Sequence, residues 1–187
     1  MKHIVLRTVS FLFHHGYIQE EDQDVYLYGL DLLLYTVLSY GILLLLGACL
    51  GDFSRSFLLL LTFSLLQSNG GGYHANTHLG CFMTMFLFWL LGMAVMAFLP
   101  ALSLCFLFLL GLPVIFLLAP VEQKNAPIGT EKKRFHKKRA QCIAAALGVS
   151  VIFLLFVSPR LGAPISIGIF FSGSSMLAAI RKRASES

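Results

Sequence analysis

Apolar residues along this chain gather into long runs separated by short polar stretches, and the run lengths predict membrane helices. In residues 1–15, Ile4, Val5, Val9, Leu12 and Phe13 gather on one side at 3.6 residues per turn, with Lys2 and Arg7 away from them. That pattern predicts a helix lying on a membrane surface, the alternative being the frayed start of a longer helix. Glu20, Glu21, Asp22 and Asp24 follow as an acidic cluster that belongs in water. Val25 to Leu50 is apolar apart from Asp31 and long enough to span with tilt. After a polar turn from Gly51 to Ser56, the run Phe57–Leu66 is short. It spans if Phe53 and the Gln67–Asn69 end are included and is otherwise re-entrant; the spanning reading is adopted.

Residues 67–78 read QSNGGGYHANTH, polar but uncharged. The 41 residues from Leu79 to Ala119 carry no charge. Pro100 divides them into two expected helices, 79–99 and 101–119, with a kink expected at Pro113. Residues 120–139 read as a basic loop, Gln141–Val157 as a span, Ser158–Pro164 as a turn, and Ile165–Ile180 as a last span rich in small residues. The expectation is an all-α polytopic membrane protein of about six spans with an amphipathic start. The 187 residues would form one membrane-embedded domain.

Composition supports this class. Hydrophobic residues make up 57% and charged residues 12% of the chain, and mean hydropathy is +0.80. Seventeen Phe against nine acids cannot clothe a water-soluble surface, which excludes a soluble enzyme and a disordered regulator. The formal charge of +5 does not point to nucleic acid. Seven of the fourteen Lys and Arg lie between Lys124 and Arg139, and three are Arg181, Lys182 and Arg183. Both groups flank apolar stretches and act as orientation signals. They place residues 67–78, the 124–139 loop and both termini at the cytoplasmic face. No secretory signal peptide is evident, since no small-residue cleavage site follows the first apolar stretch.

The chemistry concentrates after the glycines. Gly70, Gly71 and Gly72 together cost chain entropy and serve either a close backbone approach or a flexible linker. Tyr73, His74, Asn76, His78 and Cys81 then fall within nine residues. Histidine with cysteine is the minimal set for a cysteine nucleophile, because the thiolate attacks and an imidazole takes the proton. Cys81 sits near the start of a helix, where unpaired backbone N–H groups favour negative charge. Its alternative is a structural thiol. On a straight helix His74 and Cys81 would be about 10.5 Å apart along the axis, so pairing needs a bend; His78, three residues away, is closer on an unbroken helix.

The same residues admit a metal reading. His74 and His78 have the i, i+4 spacing of zinc-binding helices, with Cys81 as a third ligand. Ala75 stands where the metalloprotease motif places its Glu, and no acid lies between Asp52 and Glu122, so no metal and no other cofactor is expected. Cys49, Cys105 and Cys142 show no pairing pattern and read as ordinary small hydrophobes.

The stretch Gly71-Gly72-Tyr73-His74-Ala75, with Cys81 seven residues after His74, resembles the accessory gene regulator B family, membrane peptidases of Gram-positive quorum-sensing systems. The likeness runs over nearly the whole chain, through the amphipathic start, Tyr28-Gly29, and Ala119-Pro120 leading to Asn125 and Pro127. It implies His74 as base and Cys81 as nucleophile, with Gly71, Gly72, Tyr73, Asn76 and His78 in support. Many members carry Arg at the position of Gln67. Asp31, an ionisable group inside an expected span, is a further candidate for orienting His74.

The family's reaction implies a small precursor peptide as partner, with an amphipathic N-terminal segment and an acidic C-terminal part. Cys81 would cut before the acidic part, and an internal Cys or Ser would close the acyl-enzyme into a thiolactone or lactone. The basic 124–139 loop is a candidate attractor for the acidic part. The peptide encoded by the adjacent reading frame is the natural candidate precursor. The other partner is the lipid bilayer of the cell membrane, and the oligomeric state is open between monomer and homodimer. A peptide exporter without proteolytic activity is the alternative function.

Overall fold

A computed structural model describes residues 2–73, 77–121 and 130–185. All secondary structure among them is helical. The chain divides into two compact units, Met1–Ile42 and Leu43–Ser187.

The first unit holds α1 (Lys2–His14), a 3-10 turn at Glu20–Asp22 and most of α2 (Gln23–Cys49). Both helices match the expected segments. The acids Glu21, Asp22 and Asp24 are exposed, as charged groups at a membrane boundary must be.

The second unit holds the end of α2 and α3 (Phe53–Gly70), α4 (His78–Phe98), α5 (Ala101–Leu118), α6 (Thr130–Val157) and α7 (Pro159–Ser185). Among the described residues, five helices are long and apolar enough to cross a membrane: α2, α4, α5, α6 and α7. The chain is a multi-pass membrane protein. The expected sixth span, α3, is one continuous 18-residue helix rather than a fold-back. At about 1.5 Å per residue it is about 27 Å long, close to the hydrocarbon thickness. Its ends carry Ser54 and Arg55, and Gln67, Ser68 and Asn69, which confines its apolar stretch to the middle turns.

Two local expectations need correction. Residues 130–139, expected in a loop, are the first turns of α6. No Gly or Pro follows Gly129 there, and Glu, Lys and Arg are good helix formers. The expected turn Ser158–Pro164 shrinks to Ser158, because Pro159 opens α7 at the position where its missing N–H costs nothing. α5 also contains a 3-10 segment at Cys105–Leu107, and Pro113 lies inside the helix after it. Ser166 of α7 serves it there: its hydroxyl donates to the Cys105 carbonyl at 2.9 Å and accepts from the Phe108 N–H at 2.7 Å.

α7 is the central helix, packed against α3, α5 and α6. Residues Gly162 to Ile169 of α7 are all buried. Between apolar helices in lipid, attraction comes from close packing, so small residues let backbones approach. A Cβ on Gly111 of α5 would stand 2.6 Å from the Ile169 carbonyl oxygen and 2.7 Å from the Phe170 Cα, both backbone atoms that cannot swing away. Gly111→Ala is therefore expected to destabilise the protein by about 1–3 kcal/mol, read as a lower melting temperature in detergent. Gly41→Ala, which meets nothing within 4 Å, is the neutral control. Equal melting of the two variants would refute this account of the α5–α7 crossing.

The tip of α2 is held similarly. Ser56 accepts from the Trp89 indole at 2.7 Å and donates to the Leu43 carbonyl at 3.3 Å, tying α4 and α3 to the end of α2. Arg55 is paired with Asp52 and donates to the Met96 carbonyl at 3.2 Å.

Candidate active site

The antiparallel succession of helices brings one set of ends together. Gly70 at the end of α3 faces Met176 of α7, with Ala119 just after α5 and Ala140 of α6 within 3.8 Å of where its Cβ would be. The Val121 N–H donates to the Gly70 carbonyl at 2.8 Å. Three segments that charge and pattern had placed on one side of the membrane therefore meet: the glycine run, the start of the basic connection and the tail of α7.

The glycines are there for close approach, not as a loose linker. Gly71 has φ +69°, a conformation glycine adopts without a Cβ penalty, and a side chain there would meet the Val121 carbonyl. A Cβ on Gly72 would lie 2.5 Å from both terminal atoms of the Gln67 amide. Gln67 in turn donates through Nε2 to the Ser175 hydroxyl at 3.2 Å. The Tyr73 backbone N–H donates to the same hydroxyl at 3.0 Å, and the Lys182 ammonium sits 5.1 Å from the Tyr73 ring centroid. Gln67 is thus built into the wall beside Gly72 and Tyr73.

His74 and Asn76 lie outside the described residues. Thr77 then caps α4: it has extended backbone angles and its hydroxyl accepts from the Gly80 N–H at 3.1 Å. Cys81 follows in the first turn, its N–H bonded to the Thr77 carbonyl at 2.9 Å. This is the helix end with positive partial charge, as the sequence indicated. The Cys81 thiol is half-buried and His78 is exposed. All four buried residues of α4, Trp89, Gly92, Met93 and Met96, lie in its second half. Phe88 anchors that half against Phe63 at 5.9 Å and Phe171 at 5.2 Å between ring centroids. The first turns, with Cys81, are left accessible.

The other thiols differ. Cys105 is buried and 3.4 Å from the Pro159 carbonyl, while Cys49 and Cys142 are exposed on spanning helices. Asp31 lies on α2 in the first unit. Its expected partner His74, and with it the His74–His78–Cys81 metal trio, is outside the described residues.

The sequence reading missed Ser175, Lys182 and Val121 as neighbours of the glycine run. The one available signal was the small-residue run Ser172-Gly173-Ser174-Ser175 in an otherwise apolar helix.

The sequence profile of accessory gene regulator B matches residues 6–177. The chain belongs to the accessory gene regulator B family. Similarity to an AgrB-like protein of Clostridium perfringens (strain 13 / Type A) reaches 29% identity over 128 residues, covering 64% of this chain and 60% of that relative's length. No solved structure matches the chain. Family membership accords with the arrangement: Gly71 of the glycine run sits at positive φ against the Val121 backbone, and the motif's cysteine is the half-buried one in the first turn of α4.

Proposed function

We propose that the protein is a membrane cysteine endopeptidase of a quorum-sensing system, cutting a small precursor peptide and cyclising the part it retains. The observation that carries this reading is Cys81: half-buried, in the capped first turn of a membrane helix, seven residues after His74 and directly beyond a rigidly packed glycine run. Family membership supports it.

In the reaction, His74 takes the Cys81 proton and the thiolate attacks the scissile carbonyl carbon. The C–N bond breaks, and the proton passes from His74 to the leaving amine, which departs with the acidic C-terminal part. The retained peptide stays on Cys81 as a thioester. A Cys or Ser within it attacks the same carbonyl, loses its proton, and expels Cys81 as thiolate. The product is a cyclic thiolactone or lactone. A site at the membrane boundary, partly shielded from water, favours this exchange over hydrolysis. The basic residues near the start of α6 and in the tail of α7 support, by the positive-inside rule, a site at the cytoplasmic face of the cell membrane.

Two measurements test the reading with the full-length protein in lipid nanodiscs and the peptide encoded by the adjacent reading frame. Iodoacetamide is expected to stop cleavage and a strong chelator to leave it intact. Loss on chelation with recovery on adding zinc would instead favour the His74–His78–Cys81 metal site. Gly71→Ala places a side chain at positive φ, a strain of about 1–3 kcal/mol, and pushes against Val121; cleavage is expected to fall at least about tenfold. Gly51→Ala, at φ +73° in open space between α2 and α3, carries comparable strain and is expected to keep its activity per folded molecule. Equal activity of the two variants would show that the glycine run does not shape the site.

A further inference from the structure

We infer that the ends of α6 and α7 nearest the glycine run form a binding site for anionic phospholipid headgroups, built from Lys138, Arg139 and Arg181 with Phe135 as its apolar anchor. The inference stands apart from the peptidase reading and uses none of that site's residues.

The depth of these cations is set by the uncharged runs beside them. Residues 140–157 of α6 carry no charge, and Arg139 is the first charge before them. Residues 161–180 of α7 carry none, and Arg181 is the first charge after them. At about 1.5 Å per residue the two runs are about 27 and 30 Å long, close to the thickness of the hydrocarbon core, so both arginines start at the depth of lipid phosphates. The two helices pack on each other, and Ala140 and Met176 both border Gly70. The arginines therefore lie beyond the same end of the bundle.

Their side of the helix is equally defined. Eighteen residues make about five turns of helix, so Phe135 stands on the same side of α6 as Phe153, with Cys142 and Val149 close to that line. Phe153, Val149 and Cys142 are exposed, and exposed apolar side chains on a spanning helix face lipid tails. Phe135 is 60% exposed, and the Arg139 guanidinium carbon lies 5.7 Å from its ring centroid. Lys138 flanks the same stripe and is exposed. The buried residues Ala140, Ala144 and Val151 lie on the other side of α6. On α7, Arg181 follows the exposed Leu177 by four residues and continues its face.

These cations extend stripes that already meet lipid, which favours a headgroup over a soluble acidic peptide as their partner. Lys137, seven residues before Ala144, lies on the inward side and is outside the set. α7 contains no acid, and α6 contains one, Glu131, about 10.5 Å along the axis from Lys138. Little therefore competes with a phosphate diester there. A guanidinium fork holds two phosphate oxygens at once. Each Lys or Arg beside a membrane favours an anionic surface by roughly fivefold. An exposed Phe next to them seats the helix end at the boundary between headgroups and tails.

The test uses the full-length protein in nanodiscs of equal parts phosphatidylglycerol and phosphatidylcholine with matched acyl chains. Native mass spectrometry counts the lipids that stay with the protein when the disc is stripped away. Phosphatidylglycerol is expected to be retained over phosphatidylcholine by at least about tenfold. The combined variant Lys138→Gln, Arg139→Gln and Arg181→Gln is expected to bring the ratio within about twofold of unity. Arg160→Gln, at the opposite end of α7, removes one charge elsewhere and is expected to leave the ratio unchanged. Equal retention of the two lipids by the unaltered protein would overturn the inference. So would a preference that survives in the combined variant, or one that Arg160→Gln reduces as much, which would make it a response to net charge alone. Soluble oligoglutamate decides the rival partner. If it binds the unaltered protein in phosphatidylcholine discs, fails to bind the combined variant, and no lipid preference is seen, the set reads acidic peptide and the headgroup site falls. Should the combined variant fail to fold, Arg181→Gln alone decides, with an expected fall in the ratio of at least about threefold; an unchanged ratio there would refute the site.

Discussion

Cys81→Ser and Cys81→Ala are both expected to insert normally and to release no peptide, a loss on the order of 10³-fold or more. The reason lies in the chemistry of the nucleophile. A hydroxyl beside an imidazole is hardly ionised, and the helix end that favours a thiolate offers too little to ionise an alcohol. Serine is nearly the size of cysteine, and the first half of α4 contains no fully buried residue that would register the change. Melting temperature should therefore stay within about 2 °C of the unaltered protein, since changes away from packed cores lie within about 0.5 kcal/mol. Mass spectrometry of unaltered protein given peptide should find an acyl adduct on Cys81 and none on Cys49, Cys105 or Cys142. Cys105 is enclosed in the helix packing, and Cys49 and Cys142 lie on α2 and α6 far along the chain from the glycine run. If Cys81→Ala still moves peptide across the membrane while cleaving none, and the unaltered protein also cleaves none, the exporter reading replaces the peptidase.

The second large effect separates the two histidines. His74→Ala is expected to lower cleavage by about 10²–10⁴-fold, because it removes the base that generates the thiolate and the acid that serves the leaving amine. His78→Ala is expected to be milder, within about tenfold, since its side chain is exposed at the first position of α4. Its three-residue spacing from Cys81 places it on the same helix flank, which is the physical case for the opposite assignment. A dead His78→Ala beside an active His74→Ala would establish that opposite case. Imidazole added to the medium offers a check: it should partly restore His74→Ala if the missing group is a base with space around it, and leave Cys81→Ala inactive.

Much of this protein was legible in the pattern of its residues. Uncharged runs of membrane length can only be buried in lipid, because their backbone groups must bond internally and their side chains have no place in water. That logic yields α4 and α5 with the break at Pro100, and α2 with Asp31 as its one interior charge, while the one-sided apolar stripe of residues 1–15 yields α1. Charge placed the glycine run, the basic connection and the tail of α7 on one side, and the structure brings Gly70, Ala119 and Met176 within contact there. The setting of Cys81 is equally local: Thr77, Gly80 and Cys81 form the start of a helix from their own capping bonds.

The pattern was least informative where competing local tendencies were close in energy. Residues 130–139 are polar enough for a loop, yet good helix formers once the span behind them provides a template. Pro159 can end a turn or open a helix, and packing on α3 and α5 selects the second. Gln67 gave only an absence, a missing positive charge. Its hydrogen-bond partner Ser175 lies 108 residues later, and one hydroxyl among several in a small-residue helix has no periodicity that marks it.

The sequence by itself determined the membrane class and the approximate spans, because each follows from composition and run length within a few turns of chain. Only the tertiary structure decided why three glycines stand in a row and what holds Tyr73 in place. Those depend on approach distances between α3, α7 and the 119–121 segment. A few tenths of an ångström between backbones separates room for a side chain from none, and no local pattern encodes such a distance.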